Sequence, residues 1–307
     1  MLHRDSAAAA RAKVDEVLGP ASDYTNSPLL AFRLSDPSQV DWKEEVGHYL
    51  LTAERLGFLA KLSAVMRKQA RRPTGGTPVL HANDKRHLAL RQQVAPAMAV
   101  HYFVGTGWSF VEWEPENKDG DVDYRLCAPT GERVAFQQKA SDQPGGRSGG
   151  RIVDGEHDDR IIDALGHGAR QLPKKSEHPQ MLVMSAQRLW LLAGNPQCVI
   201  VSMLGSTTGY GSNGHVELLA KDLGLFHSPE WRHVGGIVLL DYVRSIDRFA
   251  YACTVLLNPW CDEAVRCDRT WFPHGRVAWL DGDVFRWERG APQRSTLPEG
   301  TVLRPRS

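Results

Sequence analysis

The sequence predicts an α/β chain of the α+β-like kind: a central mixed β-sheet flanked by helices, with an N-terminal helical extension. Three observations predict it. Apolar residues recur at three- and four-residue steps through residues 1 to 72, the period of helices that bury one side. After Gly105-Thr106-Gly107 the period drops to two. Beyond that point the pattern gives three consecutive strands, a helix and then further strands, and no GxGxxG or Walker motif opens a helix, so a mixed sheet and not a doubly wound nucleotide-binding sheet is expected.

Each element has its own signal. Asp41 reads as an N-cap for a long amphipathic run from Trp42 to Arg71, with Val46, Leu50, Ala53, Leu56, Leu59, Leu62 and Val65 on one face. The run Arg72-Pro73-Thr74-Gly75-Gly76-Thr77-Pro78 breaks it and marks a boundary. A helix is expected over 84–104, capped by Asn83 and kinked or split at Pro96. Strands are expected over 108–114, 121–126 and 133–139, with a turn at 117–120, then a glycine-rich loop over 141–150. A helix over 158–172 follows, and strands over 181–184, 199–203, 237–240 and 251–257. The domain organisation read from this is a helical region over 1–75, an α/β domain over 76–280 and a polar, weakly structured tail over 281–307.

Composition narrows the class. The 307 residues are 42% apolar and 24% charged, with a formal charge of +1, close to an ordinary globular chain. No stretch approaches the ~20 apolar residues of a membrane helix. Asp5, Asp15 and Glu16 interrupt any apolar run that would make a signal peptide, so a cytoplasmic protein with no membrane partner is expected. The five cysteines form no CxxC pair; Cys198 and Cys253 read as buried thiols, and Cys261, Cys267 and His274 match no zinc spacing. Arg67, Lys68, Arg71 and Arg72, followed by Lys85, Arg86 and Arg91, form a local basic cluster. Such a cluster either tracks phosphates or complements a helix end, and both readings stay open here.

The chemistry is concentrated in Val111 to Asp142. Side chains two apart on a strand share a face, so Glu112 and Glu114, Asp121 and Asp123, and Gln137 and Lys139 are expected to point in pairs. In a three-strand meander, acids from two strands then meet an amide oxygen and an ammonium from the third. Magnesium takes hard oxygen ligands and keeps several waters, so Asp123, Asp121 and the Gln137 amide can supply the protein's share. Lys139 beside the ion can orient water and offset charge on a phosphate.

Asp123, thirteen intervening residues, then Gln137-Gln138-Lys139 resembles the PD-(D/E)XK signature of restriction-endonuclease-like nucleases. The run DGDVDYRL…ERVAFQQKA is especially similar to the branch containing methylated-DNA restriction endonucleases, where glutamine replaces the first acid of the triplet. The resemblance spans residues 83 to 205. It implies a magnesium- or manganese-dependent DNA endonuclease with Asp123, Gln137 and Lys139 as the catalytic set, supported by Glu112, Glu114, Asp121 and Gln171. In nucleases of this kind a polar residue at the place of Gln171 points toward the scissile phosphate. Val122, not proline, precedes Asp123, and uncharged Gln137 should weaken metal binding relative to glutamate. The alternative is a non-catalytic protein on the same fold, binding DNA, a protein partner or a second copy of itself. The glycine-rich run Gly205 to Gly214 reads as a loop, and His215, His227 and His233 lack metal-ligand spacing. Trp271, Trp279 and Trp287, eight residues apart, read as packing in a small β-rich cap.

Overall fold

The computed structural model describes residues 6–24, 40–70, 85–115, 120–140, 154–185, 196–205, 217–219, 224–244, 249–290, 299–300 and 302–304. The expected break at 72–78, the loops at 141–150 and 206–214, Asn83, Arg71, Arg72 and His215 lie outside them. The chain divides into two compact units, Met1–Phe110 and Val111–Ser307.

The first unit is helical. α1 (Ala7–Leu18) starts where Ser6 accepts a hydrogen bond from Ala9 N at 3.2 Å and ends at Gly19, whose φ of 81° suits only glycine. The long helix expected from Trp42 to Arg71 is two helices, α2 (Val40–Arg55) and α3 (Leu59–Ala70). Gly57, at φ 83°, makes the break, and Asp41 lies inside the first turn of α2 instead of capping it. α4 (Lys85–Gly105) packs on α2 and α3 within this first unit. Pro96 lies inside α4 without splitting it. Of the basic cluster, Arg67 Nε donates at 2.5 Å to Val17 O, a carbonyl in the last turn of α1, so Arg67 serves a helix end. Lys85, Arg86 and Arg91 fall on α4, but their side chains are not among those described.

The second unit is built on a mixed sheet, as the sequence predicts. Eight strands follow one another in space: β1 (Ser109–Trp113), β2 (Tyr124–Cys127), β3 (Arg133–Ala140), β4 (Gln180–Ser185), β6 (Gly236–Arg244), β7 (Phe249–Leu257), β8 (Arg276–Asp281) and β9 (Val284–Glu288). Two three-residue strands, β10 (Val302–Arg304) and β5 (Glu217–Leu219), extend it beyond β9. β2 pairs antiparallel with β3, whereas β3, β4 and β6 run parallel, so the chain must cross over between them. α5 (Asp154–Gln171) makes the first crossover. Its Ile161, Leu165 and Ala169 share a buried core with Ala135, Leu182, Met184, Ile237 and Leu239, which occupy one face of the sheet.

Two expectations are corrected. Residues 199–203 belong to a helix, α6 (Gln197–Leu204), and Val199, Ile200 and Met203 join that same core. A short run of Val and Ile is compatible with either element, and burial on three- and four-residue spacing decided for the helix. Within the stretch from 281 expected as a weakly structured tail, Val284–Glu288 form β9, whose Phe285 and Trp287 are buried, so these residues are sheet. Alternation of Phe285 and Trp287 with Arg286 was the available signal.

Candidate active site

The site forms where three elements of the second unit meet: the residues leading into β2, the second half of β3 and the last turn of α5. On β3, Phe136 and Gln138 face one side of the sheet; Phe136 stacks on Tyr124 at 5.2 Å, and Gln138 Oε1 accepts from the Tyr124 hydroxyl at 3.2 Å. Gln137 and Lys139 therefore face the other side, the one α5 covers, in register with Leu182 and Met184 of β4.

Asp121 and Asp123 were expected within a strand, but β2 begins only at Tyr124. What holds them is hydrogen bonding out of the ladder. Asp121 N donates to Gln171 O at 2.7 Å, and Asp123 N donates to Phe136 O at 2.9 Å. The Asp123 carboxylate accepts from Gln138 N at 2.6 Å. A side chain at residue 120 would lie 2.6 Å from both Gln171 O and Pro173 N, so only glycine lets this segment close on the end of α5. The strand alternation that would aim Asp121 and Asp123 together does not operate here; the contact with α5 replaces it.

The expected pairing of Glu112 with Glu114 also fails. β1 ends at Trp113, and Glu114 adopts φ 47°, a left-handed conformation that turns it out of the strand pattern. Glu112 is exposed and lies 3.2 Å from Arg125, away from the cluster. Glu114 donates its N–H to Asp123 O at 2.8 Å and is near enough to raise the Asp123 pKa.

Electrostatics mark the same group of residues. Burial pushes the Asp123 carboxyl up to about 6, against the opposing pull of the Gln138 N–H and of Lys139; Glu114 and Asp121 add to the rise. Burial lowers the Lys139 pKa, opposed by Asp123 and Asp121. Lys139 Nζ donates to Gln171 Oε1 in a short contact. Its aliphatic stem crosses α5 at Gly168, where a methyl group would meet Lys139 Cγ and Cε at 3.2 Å. Gln137 is 3% exposed, and its Oε1 is buried with no hydrogen-bond partner. A buried carbonyl oxygen left unbonded is costly, and it marks a place where a cation or water would be stabilising.

No family model, no curated protein and no solved structure matches this chain. The site therefore stands on its own chemistry. Among the described residues, no three His, Cys, Asp or Glu side chains gather to hold a metal. What is present is one half-buried carboxylate, one orphaned amide oxygen, a neighbouring lysine and acids at the rim. This donor set suits a hard divalent cation that keeps most of its waters, and not a zinc ion enclosed by protein ligands.

Gln138 takes the unspecified X position of the triplet, where the sequence gives it no role. It is instead a buried hub: its N–H caps Asp123, and its amide nitrogen donates to Ser185 Oγ at 3.0 Å and Lys139 O at 3.2 Å. Gly120 and Gly168 were also missed, because each is required by a neighbour distant in sequence. Cys261 and Cys267 are both buried, and neither forms a disulfide.

Proposed function

We propose that the chain is a metal-dependent endonuclease that hydrolyses DNA phosphodiester bonds on a restriction-endonuclease-like sheet. The observation that supports it is the linked set of Asp123, Lys139 and Gln171, with Gln137 two residues before Lys139 on the same face of β3 and its Oε1 buried and unbonded. Around it β2 and β3 run antiparallel, and α5 then leads to β4, which is parallel to β3.

In this reading Asp123 and Gln137 Oε1 would hold Mg²⁺ or Mn²⁺, with Asp121 at the rim. The ion would supply positive charge that polarises the phosphate and makes a bound water more acidic. Asp123 would be ionised by the cation beside it despite its burial. Lys139, steadied by Gln171, would orient the attacking water and offset negative charge growing on the phosphate. Restriction or phage defence in the cytoplasm is the setting this reading implies. Supercoiled plasmid incubated with Mg²⁺ or Mn²⁺ should be nicked; equal nicking by Lys139→Ala would refute the assignment.

A second reading is a non-catalytic protein that binds DNA, a protein partner or a second copy of itself. The small charge of the donor set favours it: Gln137 is neutral and no cluster of three metal-ligating side chains forms among the described residues. Calorimetric titration with Mn²⁺ separates the two. Absence of binding, or binding unchanged by Asp123→Ala, would support the second.

A further inference from the structure

The last turn of α5 has a defect written into its sequence. A helical carbonyl bonds the N–H four residues on, and for Ala169 that residue is Pro173, which has none. In the buried interior an unpaired carbonyl is destabilising, so another donor is required. The donor is His233, from the segment leading into β6: its Nε2 lies 2.7 Å from Ala169 O, and a carbonyl can only accept. His233 is 3% exposed. The same turn is held at two further carbonyls: Asp121 N bonds Gln171 O at 2.7 Å, and Gln180 Nε2 bonds Pro173 O at 2.8 Å and His233 O at 2.5 Å. Gln171, whose side chain receives Lys139, sits two residues past the carbonyl that His233 caps.

We infer that His233 is a positioning residue: by donating to Ala169 O it fixes the last turn of α5, and so holds Gln171 against Lys139. The inference deepens the nuclease reading, on which its consequence for cleavage rests. Its consequence for Lys139 does not depend on turnover.

The test is the rate at which Lys139 is acylated by an amine-reactive ester at one fixed pH, read by mass spectrometry against Lys13 as an internal standard. His233→Leu removes the donor and should speed Lys139 acylation relative to Lys13 by roughly fivefold, the scale of one lost hydrogen bond. His233→Gln, whose amide can still donate, should restore the slower rate. His233→Asn keeps a polar group but is too short to reach Ala169; it should behave like His233→Leu, and it keeps the comparison available if the leucine variant does not fold. An unchanged Lys139 rate in the folded leucine or asparagine variant would overturn the proposal. So would a glutamine variant no slower than the others, or equal acceleration at both lysines. Wild-type protein that leaves DNA intact would end the nuclease reading without touching this result. If it does cut, kcat should fall about tenfold in His233→Leu with KM unchanged.

Discussion

Lys139 on β3 donates its ammonium hydrogen bond to Gln171, the final residue of the helix that crosses over to β4. That link joins the sheet to the helix end at the place where Asp121 also bonds to the Gln171 backbone. One residue thus ties the lysine and the acidic segment into the same frame.

On the proposed function, Lys139→Met should sharply slow cleavage while leaving the fold intact or slightly firmer. Burial lowers the pKa of this ammonium, so in the folded state the charged form is disfavoured relative to the unfolded chain. Replacing it with an apolar side chain of similar length removes that cost. We expect cleavage to drop by roughly two to three orders of magnitude, as when one group stabilising transition-state charge is lost. The melting temperature should stay level or rise. Plasmid nicking and a thermal melt measure the two effects separately.

Gly168→Ala separates helix stability from site geometry. Alanine favours a helix interior over glycine by about 1 kcal/mol. Its methyl would lie 3.1 Å from Leu182 Cδ2 and 3.2 Å from Lys139 Cγ and Cε, so the lysine stem has to shift by a few tenths of an ångström. The opposing terms should leave stability within about 1 kcal/mol of wild type. Cleavage should nevertheless fall roughly tenfold, because the displaced end is the ammonium itself. Urea denaturation beside single-turnover kinetics checks both halves; unchanged kinetics would show that Lys139 tolerates the shift.

Gly120→Ala meets backbone instead of a flexible side chain. The added carbon would approach Gln171 O and Pro173 N to 2.6 Å, and neither can move without opening the Asp121–Gln171 hydrogen bond. We expect a loss of about 2–3 kcal/mol in unfolding free energy, the range of overpacking in a well-filled interior. Chemical denaturation should show it as a lower midpoint.

These positions explain how much the sequence disclosed. The strands over 109–113, 133–140 and 180–185 were legible because β-branched, aromatic and apolar residues concentrate there, and α5 because Ile161, Leu165 and Ala169 repeat at helical spacing. Gln137 and Lys139 were legible as a pair because they alternate along β3, whereas Asp123 lies before β2 and is held by the Gln138 N–H instead of by strand register. The roles of Gly120 and Gly168 were not, since each depends on atoms brought close only by folding. Glu112 and Glu114 looked equivalent by alternation, and the left-handed turn at Glu114 separated them. Residues 199–203 were ambiguous because four of the five are apolar and favour strand and buried helix alike.

Asp123→Asn should make the metal-free protein more stable at neutral pH and flatten its pH dependence. The carboxyl has a folded pKa of about 6, above its ordinary value near 4 in an unfolded chain. Between those two values the folded state binds more protons than the unfolded state, so stability falls as pH rises from about 4 to about 6 and stays low above that. The stabilising state is thus the protonated one, present in full below the unfolded pKa. Asparagine cannot ionise, yet its amide oxygen can still accept the Gln138 N–H that Asp123 holds at 2.6 Å. Allowing for the part of the carboxylate that faces solvent, the gain at pH 7 is on the order of 1–2 kcal/mol. Denaturation with chelator at pH 4, 5, 6 and 7 reads it as a curve that declines for wild type and is flatter for the variant. Adding Mn²⁺ should then reverse the order at pH 7, because a cation that binds the ionised carboxylate stabilises only the form that can ionise. A wild-type curve without that decline would place the charge of Asp123 in water, and the buried site around it would have to be redrawn.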